Sequence, residues 1–477
     1  MFEFSPFFSV LKNFFSRKDL LVIFFIILAF LFGLLTIFIT PPLQGPDEDI
    51  HFVACWKISH GDFTRSISKP LADFSWVHGY LPWHPEKKYS FEKWQEAMQY
   101  RSNTEKNEEI LAYGAVTFYA VPSYIPPLAG VALSSIFSDR YLPALYMGRL
   151  FCLLTYIALG ALALYFLPSG RAVVFLLLMM PQSIFQASVI SYDGITNGAM
   201  CLWCALLFRD VFSKENEEKC FSRELLLCSI LLCFCKVPYM IVLGCLIFLF
   251  AIKELRFRNR IWPVLICGFS FPALLIPLKN ILEHLPLPEN AEKFVRIMEP
   301  GQGSVDCLTE QTGPLAERLL QFPQLLFATL TDPSKLLIYA GSLAGCLGAL
   351  DTLLPPSLLV LYLLLIVFCC FNMENRISCS GRLFFLVCGL GLTGMIFMIF
   401  AITYLPSNGT IPGITGRYFI PSAIFLALAA GSDLLKFKWG RKQESFLAVT
   451  GALVLGTTMV VTLLQRYYFE YWWDRTI

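Results

Sequence analysis

Apolar runs long enough to cross a membrane recur along this chain, and they constrain its fold more than any other feature. The first run, Leu20 to Thr40, covers about twenty residues, which is enough for a helix to span a bilayer. Hydrophobic residues make up 56% of the chain and charged residues only 15%, a balance that is not typical of a soluble domain. The sequence therefore predicts an all-α polytopic membrane protein, and its net charge of +2 suggests no nucleic-acid partner.

Hydropathy predicts about eleven transmembrane helices. They are expected at residues 20–40, 143–166, 172–190, 194–211, 223–236, 238–253, 261–281, 355–371, 383–403, 417–435 and 445–465. Short loops rich in Lys and Arg, among them 209–223, 253–260 and 436–442, are cytoplasmic by the positive-inside rule. We therefore expect a protein of the cytoplasmic (inner) membrane with its N-terminus in the cytoplasm and its C-terminus outside.

Three regions follow from these spans. Residues 1–281 form an N-terminal membrane module that contains a first outer loop, 41–142. Residues 282–354 form a second large outer loop, and residues 355–477 supply the C-terminal membrane helices. Cys55 and Cys307 fall in the two outer loops and could pair, but the sequence leaves this open.

The segment 113–136 is apolar enough to resemble a further span. It contains Pro122, Pro126 and Pro127, and proline disrupts a helix interior. A crossing here would also invert every later loop and turn the basic loops outward. We therefore predict an interfacial helix that packs against the bundle.

An acidic motif begins the first outer loop, directly after the first span. It reads Pro46-Asp47-Glu48-Asp49-Ile50-His51, and charge at the edge of a membrane is usually functional. If a helix starts here, Asp47 and His51 lie four residues apart on one face, which can orient a base or hold a divalent metal. The alternative is that the acids only complement the positive end of the helix dipole.

A second acidic site lies in a short outer turn, Ser191-Tyr192-Asp193-Gly194. Gly194 already supplies the turn, so the hairpin does not require Asp193. Two acids at outer helix ends are what a general base or a metal site needs. Asp47 and Asp193 are therefore candidate ligands for magnesium or manganese, and no other cofactor is indicated.

Cations also interrupt apolar runs near the predicted outer face. Lys236 lies in Lys236-Val237-Pro238-Tyr239, and Arg417 opens the tenth span beside Tyr418. Both are placed where a phosphate could bind, although each could instead snorkel to lipid headgroups. Arg149 lies inside an apolar run and needs a partner, either an acidic residue or a lipid phosphate.

These motifs, in this order, resemble the bacterial domain-of-unknown-function 2142 family within the family C (GT-C) glycosyltransferase superfold. The residues that match run from about 41 to 421 and are Pro46-Asp47-Glu48 with His51, Tyr124 to Pro127, Gly148-Arg149, Ser191-Tyr192-Asp193, Lys236 with Pro238-Tyr239, Leu350-Asp351 before Pro355, and Gly416-Arg417-Tyr418 with Pro421. The resemblance implies a GT-C-like fold whose large first outer loop carries interfacial helices. It also implies a transferase that moves sugar from a polyprenyl-phosphate-linked donor to a cell-envelope glycan or lipid acceptor, on the outer face.

The resemblance also implies roles for individual residues. The first-loop acid, Asp47 or Glu48, would be the base or a metal ligand, and Asp193 would be the second acid. Substrate-binding residues would be His51, Arg149, Tyr192, Lys236, Tyr239, Arg417 and Tyr418. Neither a GxGxxG nor a Walker loop is visible in the sequence, which agrees with a donor that is linked to lipid.

Two other functions fit a membrane protein with these charges. A transporter or flippase of lipid-linked glycans would use Asp193, Arg149 and Lys236 to line its path, but such proteins often show inverted repeats, which are not evident here. A glycan polymerase or ligase also has a large outer loop. Arg-rich outer loops would favour a polymerase, whereas the acidic sites favour a transferase.

Overall fold

The computed structural model is a bundle of helices with small sheets at one end. It describes residues 19–62, 66–77, 86–102, 110–112, 121–213, 222–233, 235, 292–293, 314–374, 376–431 and 440–469. The helices are α1 (Leu20–Ile39), α2 (Glu48–Ser59), α3 (Lys69–Val77), α4 (Phe91–Ala97), α5 (Val121–Phe137), α6 (Tyr141–Phe166), α7 (Arg171–Met179), α8 (Pro181–Ala187), α9 (Asp193–Leu207), α10 (Arg223–Cys233), α11 (Leu315–Thr331), α12 (Pro333–Ala344), α13 (Pro356–Asn372), α14 (Cys379–Thr403), α15 (Ile420–Ala430) and α16 (Arg441–Tyr467). The strands are β1 (Ser66–Ser68), β2 (Ile110–Ala112), β3 (Glu292–Lys293), β4 (Cys346–Leu347) and β5 (Thr352–Leu353).

Five stretches of helix within the described part of the chain are long and apolar enough to cross a membrane. They are Leu20–Ile39, Tyr141–Phe166, Asp193–Phe212, Cys379–Thr403 and Lys442–Tyr467. Shorter apolar helices lie at Ser123–Phe137, Pro356–Asn372 and Gly416–Ala430. The prediction of a helical membrane protein is thus confirmed. The predicted spans 238–253 and 261–281 lie outside the described residues.

The predicted span 172–190 is not continuous. It is broken at Met180, between α7 and α8, and Pro181 occupies the first position of α8, where its missing N–H costs nothing. Three hydroxyl groups donate to the carbonyls that the break leaves without helical partners. The acceptors are Leu176, Leu177 and Leu178, and the donors are Tyr362 at 2.7 Å, Ser183 at 2.9 Å and Tyr156 at 2.6 Å, respectively.

The bundle has two ends, and contacts between loops define both. At the site end, where α1 ends and α2 begins, the backbone N–H of Ile190 donates to Glu48 and Tyr89 N–H donates to Tyr467 O at 2.7 Å. At the opposite end, Asp19 pairs with Arg171. The chain therefore begins α1 at the opposite end and finishes α16 at the site end.

The apolar segment after β2 forms a helix despite its prolines. Pro126 and Pro127 lie inside α5, beyond its first turn, so the helix forms without the N–H donors that these two positions would otherwise supply. The helix packs closely on α6, since a Cβ at Gly130 would clash with the Met147 carbonyl. Its Tyr124 contacts His51, so α5 starts at the site end, and the interfacial position of this helix stays a prediction.

The two predicted outer loops join each other at the site end. Strand β2 of the first loop pairs antiparallel with β1 and parallel with β3 of the second loop. The described part of the second loop also holds α11, α12 and the hairpin β4–β5. A separate apolar core lies under the first loop and includes Phe52, Trp56 and Tyr141, while α11, α12 and α14 enclose a smaller one.

Residues of both outer loops bind the end of α16. Arg466 pairs with Asp351 in the turn between β4 and β5 at 2.8 Å, and Lys88 donates to the carbonyls of Gln465 and Arg466. Burial raises the pKa of the neighbouring Tyr89 hydroxyl, so its ring packs here as a neutral group. These contacts hold the two outer loops over the site end of the bundle.

Candidate functional site

Glu48 and Arg149 form a sealed ion pair at the centre of the site end. Glu48 is in the first turn of α2 and Arg149 is on α6, and both side chains are 0% exposed. Arg149 Nε donates to Glu48 Oε1 and Nη2 donates to Oε2, each at 2.7 Å. The backbone N–H groups of Gly45 and Ile190 donate to the same carboxylate at 3.1 and 3.0 Å.

The remaining donors of Arg149 hold the end of α1. Nη1 donates to the carbonyls of Ile37 and Thr40, and Nη2 donates to that of Pro41. A guanidinium has five N–H groups, and all five have acceptors here. The expected roles of Glu48 as a base and Arg149 as a substrate-binding residue therefore have no support in this geometry, because neither group has an exposed atom to offer a ligand.

Asp47 and Arg417 form a second ion pair that is open on one side. Arg417 Nη2 donates to Asp47 Oδ2 at 3.0 Å, and the Asp47 side chain is 55% exposed while that of Arg417 is 6% exposed. Asp47 precedes α2 in a left-handed conformation, with φ of 57°, which Asp tolerates better than most residues. The carboxylate thus faces outward while its partner is anchored inside the protein.

Close packing fixes the turn that carries Arg417. The turn is a short 3₁₀ helix, Gly416–Phe419, and a Cβ at Gly416 would clash with the backbone of Tyr339 and Leu343 on α12. The N–H of Gly416 donates to Ser342 Oγ at 2.6 Å, and Arg417 Nη2 also donates to the Tyr418 hydroxyl at 3.0 Å. The guanidinium is therefore held in place by both its backbone and its neighbour.

Buried polar atoms around this turn lack hydrogen-bond partners. Within the described structure they are Arg417 Nε and Thr415 Oγ1. An unpaired buried donor costs about 1–3 kcal/mol, so groups of this kind call for an explanation. A ligand with several acceptor oxygens would satisfy them after a local adjustment of the packing.

Asp193 begins α9 close to this pair. It is buried, its N–H donates to Ser191 Oγ at 3.0 Å, and Gln186 Nε2 contacts its Oδ2 at 3.4 Å. Asn197 in turn donates to Gln186 Oε1 at 2.9 Å. Asp193 interacts electrostatically with Arg417, as does Asp47. The two predicted acids are therefore brought to the same guanidinium.

His51 and two tyrosines complete the group. His51 Nδ1 lies 2.5 Å from the Tyr124 hydroxyl, and its ring centroid is 4.8 Å from that of Tyr192. Asp47 and His51 were expected to act together through their side chains. The contact described between them is a backbone hydrogen bond, in which His51 N–H donates to Asp47 O at 3.1 Å. Tyr124 is therefore the residue that orients this imidazole in the described contacts.

Asp47 and Asp193 do not form a metal-binding site by themselves. Among the described residues, no group of three or more His, Cys, Asp or Glu side chains is placed to bind a metal ion. Arg417 already sets a positive charge against Asp47 and Asp193, and a divalent cation at the same place would be repelled. The two carboxylates are therefore matched to a guanidinium and not to a metal ion.

The structure brings together most of the residues predicted for the site. Asp47, His51, Tyr192, Asp193, Arg417 and Tyr418 lie at the site end, whereas Lys236 and Tyr239 lie outside the described residues. Cys55 is a buried free thiol, and Cys307 is also outside the described part. Sequence reasoning missed Gln186 and Asn197, although an amide in an apolar run is a signal of a buried polar contact.

The bundle, its two ends and its buried charges together define an integral membrane protein. A family model described as a predicted membrane protein, DUF2142, matches residues 30–426, so the chain belongs to this family. The match spans every residue of the site described above. No curated protein and no solved structure matches the chain.

Proposed function

We propose that this protein is a glycosyltransferase of the GT-C type. It would move a sugar from a polyprenyl-phosphate-linked donor to a cell-envelope glycan or lipid acceptor on the outer face of the cytoplasmic membrane. The observation that carries the proposal is the half-open Asp47–Arg417 pair beside Asp193. It combines an exposed base with an anchored cation, which are the two groups that such a transfer needs.

Arg417 is the proposed phosphate-binding residue. Its Nε has no partner in the described structure, and a guanidinium binds phosphate oxygens through paired N–H groups. Thr415 would supply an additional hydroxyl donor from the residue that precedes the turn. This set supports a donor whose leaving group is an anion held at the membrane by its lipid chain.

Asp47 is the proposed base. It would accept the proton of the acceptor hydroxyl while the acceptor oxygen forms a bond to the anomeric carbon. The bond from that carbon to the phosphate oxygen breaks, and its electron pair leaves with the polyprenyl phosphate, whose charge Arg417 stabilises. Asp193, His51, Tyr192 and Tyr418 would bind and orient the substrates, while Glu48 and Arg149 position the loop.

The orientation in the membrane is proposed from the two ends of the bundle. Arg171, Arg209, Arg376 and Arg382 lie at helix ends of the opposite end, which favours the cytoplasm there. Reporter fusions at about residue 60, at Ser138 and after Ile477 are all expected to give the outer-side signal. An inner-side signal at both Ser138 and the C-terminus, with an outer-side signal at about residue 60, would mean that residues 113–136 cross the bilayer.

The test of the activity uses purified full-length protein in detergent. It is incubated with a panel of short-chain polyprenyl-phosphate monosaccharides and an extract of cell-envelope glycans and lipids, and mass spectrometry measures the polyprenyl phosphate released. We expect release by the wild type and by Asp49→Asn, and loss in Asp47→Asn. Asp49 is a matched control, because it is an acid of the same motif. Release that is absent for every donor, or equal in Asp47→Asn, would contradict the proposal.

A second candidate function, translocation of a lipid-linked glycan, is favoured by the break between α7 and α8. Discontinuous helices line the binding sites of many transporters. The carbonyls at this break are however occupied by Tyr156, Ser183 and Tyr362, which makes it a fixed feature of the packing. Movement of a fluorescent lipid-linked sugar across vesicles containing the protein, without transfer, would instead support translocation.

A further inference from the structure

The Asp47–Arg417 pair places the base and the cation in direct contact. This contact conflicts with both of their proposed roles. A carboxylate that is neutralised by a guanidinium is a weaker base, and a guanidinium that is paired with a carboxylate attracts a phosphate less strongly. The pair must therefore separate, at least in part, before a phosphate and an acceptor hydroxyl can both be engaged.

We propose that the Asp47–Arg417 ion pair is a latch that a phosphate headgroup opens. This inference rests on the proposed function and adds an order of events to it. The phosphate binds Arg417 and displaces the Asp47 carboxylate, which becomes available to the acceptor hydroxyl. The donor lipid thus activates the base that its own transfer requires.

The two ends of the latch differ in their freedom to move. Arg417 is buried on a turn that Gly416 packs against α12, so it stays where it is. The Asp47 side chain is 55% exposed and can rotate into solvent. Its backbone is held, because the next residue, Glu48, is locked to Arg149. Exchange of partners at Arg417 Nη2 therefore needs only the Asp47 side chain to move.

The latch explains why Arg417 tolerates burial without substrate. A buried guanidinium without a counter-charge would be costly, and Asp47 supplies one in direct contact, in addition to the charge of Asp193. A phosphate supplies the same charge with more oxygen acceptors, which can also reach Arg417 Nε. The phosphate and Asp47 therefore compete for one cation.

Competition predicts effects of opposite sign for the two partners. Asp47→Asn is expected to tighten phosphate binding about fivefold, because an ion pair with one exposed partner contributes up to about a factor of five to a binding constant. Asn also tolerates the left-handed backbone at this position. Arg417→Gln is expected to weaken binding by more than about tenfold, since it removes a charge-assisted contact.

The experiment measures binding of farnesyl phosphate to the full-length protein in detergent, through the change in tryptophan fluorescence. Farnesol, which lacks the charge, and inorganic phosphate, which lacks the lipid, distinguish headgroup from tail. Asp49→Asn controls for the general loss of a negative charge, and Tyr418→Phe removes the uncharged acceptor of Arg417 Nη2. Neither is expected to tighten binding as Asp47→Asn does.

The outcomes separate the latch from the phosphate site. If Arg417→Gln loses binding but Asp47→Asn does not tighten it, the latch is wrong and the phosphate site stands. Weaker binding in Asp47→Asn would instead mean that Asp47 helps to hold the phosphate, as a metal ligand would. If Arg417→Gln or, should that variant not fold, Arg417→Lys binds as the wild type does, the phosphate site itself is wrong.

Discussion

Asp47 and Glu48 are adjacent in the sequence, yet their carboxylates occupy opposite environments. Glu48 accepts four hydrogen bonds and is buried together with Arg149. Asp47 is half exposed and accepts a hydrogen bond from one guanidinium nitrogen of Arg417. Both pairs join the start of α2 to a distant part of the chain. Partner and exposure, and not position in a motif, therefore separate an acid that is closed to any ligand from one that a ligand can reach.

The sealed pair also makes the open pair possible. Arg149 binds the end of α1 through three carbonyls and holds Glu48 at the start of α2. The short turn between these helices, 40–47, is therefore fixed at both ends. The backbone of Asp47 is therefore held rigidly in place, which is what a preorganised site requires.

The largest expected effect is the loss of stability when one partner of the sealed pair is removed. Glu48→Gln and Arg149→Gln should each destabilise the protein by about 3–5 kcal/mol, because the remaining charge is buried without a partner. Thermal unfolding in detergent, followed by tryptophan fluorescence, measures this. Replacing both residues, as in Glu48→Gln with Arg149→Met, should recover part of the loss.

Arg171→Gln is the matched control for this stability effect. It breaks the pair with Asp19, in which both side chains are partly exposed, and we expect a loss of no more than about 1 kcal/mol. Wild-type stability in Glu48→Gln, combined with lost transfer, would reverse the assignment and make Glu48 the base.

The next effect is on the rate of transfer. Asp47→Asn should slow transfer by about 10²–10⁴-fold, as expected for the loss of a general base, while its melting temperature stays close to that of the wild type. Initial rates at saturating donor and acceptor measure this. A variant that unfolds as readily as Glu48→Gln would show that the two acids share a structural role.

The sequence was sufficient for the class of protein and for the individual acids and cations of the site. It identified a helical membrane protein because hydropathy is a local property, and it singled out Asp47, Asp193 and Arg417 as charges at the ends of apolar runs. It could not assign their partners, since Arg149 and Glu48 are 101 residues apart and Arg417 and Asp47 are 370 apart. The break at Met180 was missed although Pro181, Gln182 and Ser183 follow it directly, and proline favours the first position of a new helix.

A smaller effect is expected from a conservative change in the open pair. Arg417→Lys keeps the charge but loses the planar fork, so it should raise the apparent KM for the donor by about tenfold with little change in the KM for the acceptor. Lys236, which lies outside the described residues, stays a predicted second phosphate contact, and Lys236→Ala should act in the same direction. Transfer assays with varied donor at fixed acceptor measure both, and unchanged donor dependence would make these residues lipid anchors.

The smallest effects are expected when single hydroxyl groups are removed, one from the group around His51 and one from the break between α7 and α8. Tyr124→Phe removes the hydroxyl beside His51, and Tyr156→Phe removes the one that donates to the Leu178 carbonyl at the break between α7 and α8. Each hydrogen bond should be worth about 1 kcal/mol, or about a fivefold change in an equilibrium or rate constant. We expect Tyr124→Phe to lower kcat/KM and leave the melting temperature unchanged, because His51 lies among the candidate substrate-binding groups. Tyr156→Phe should lower the melting temperature and leave kcat/KM unchanged, and the reverse pattern would show that the break between α7 and α8, and not the group around His51, contacts the substrate.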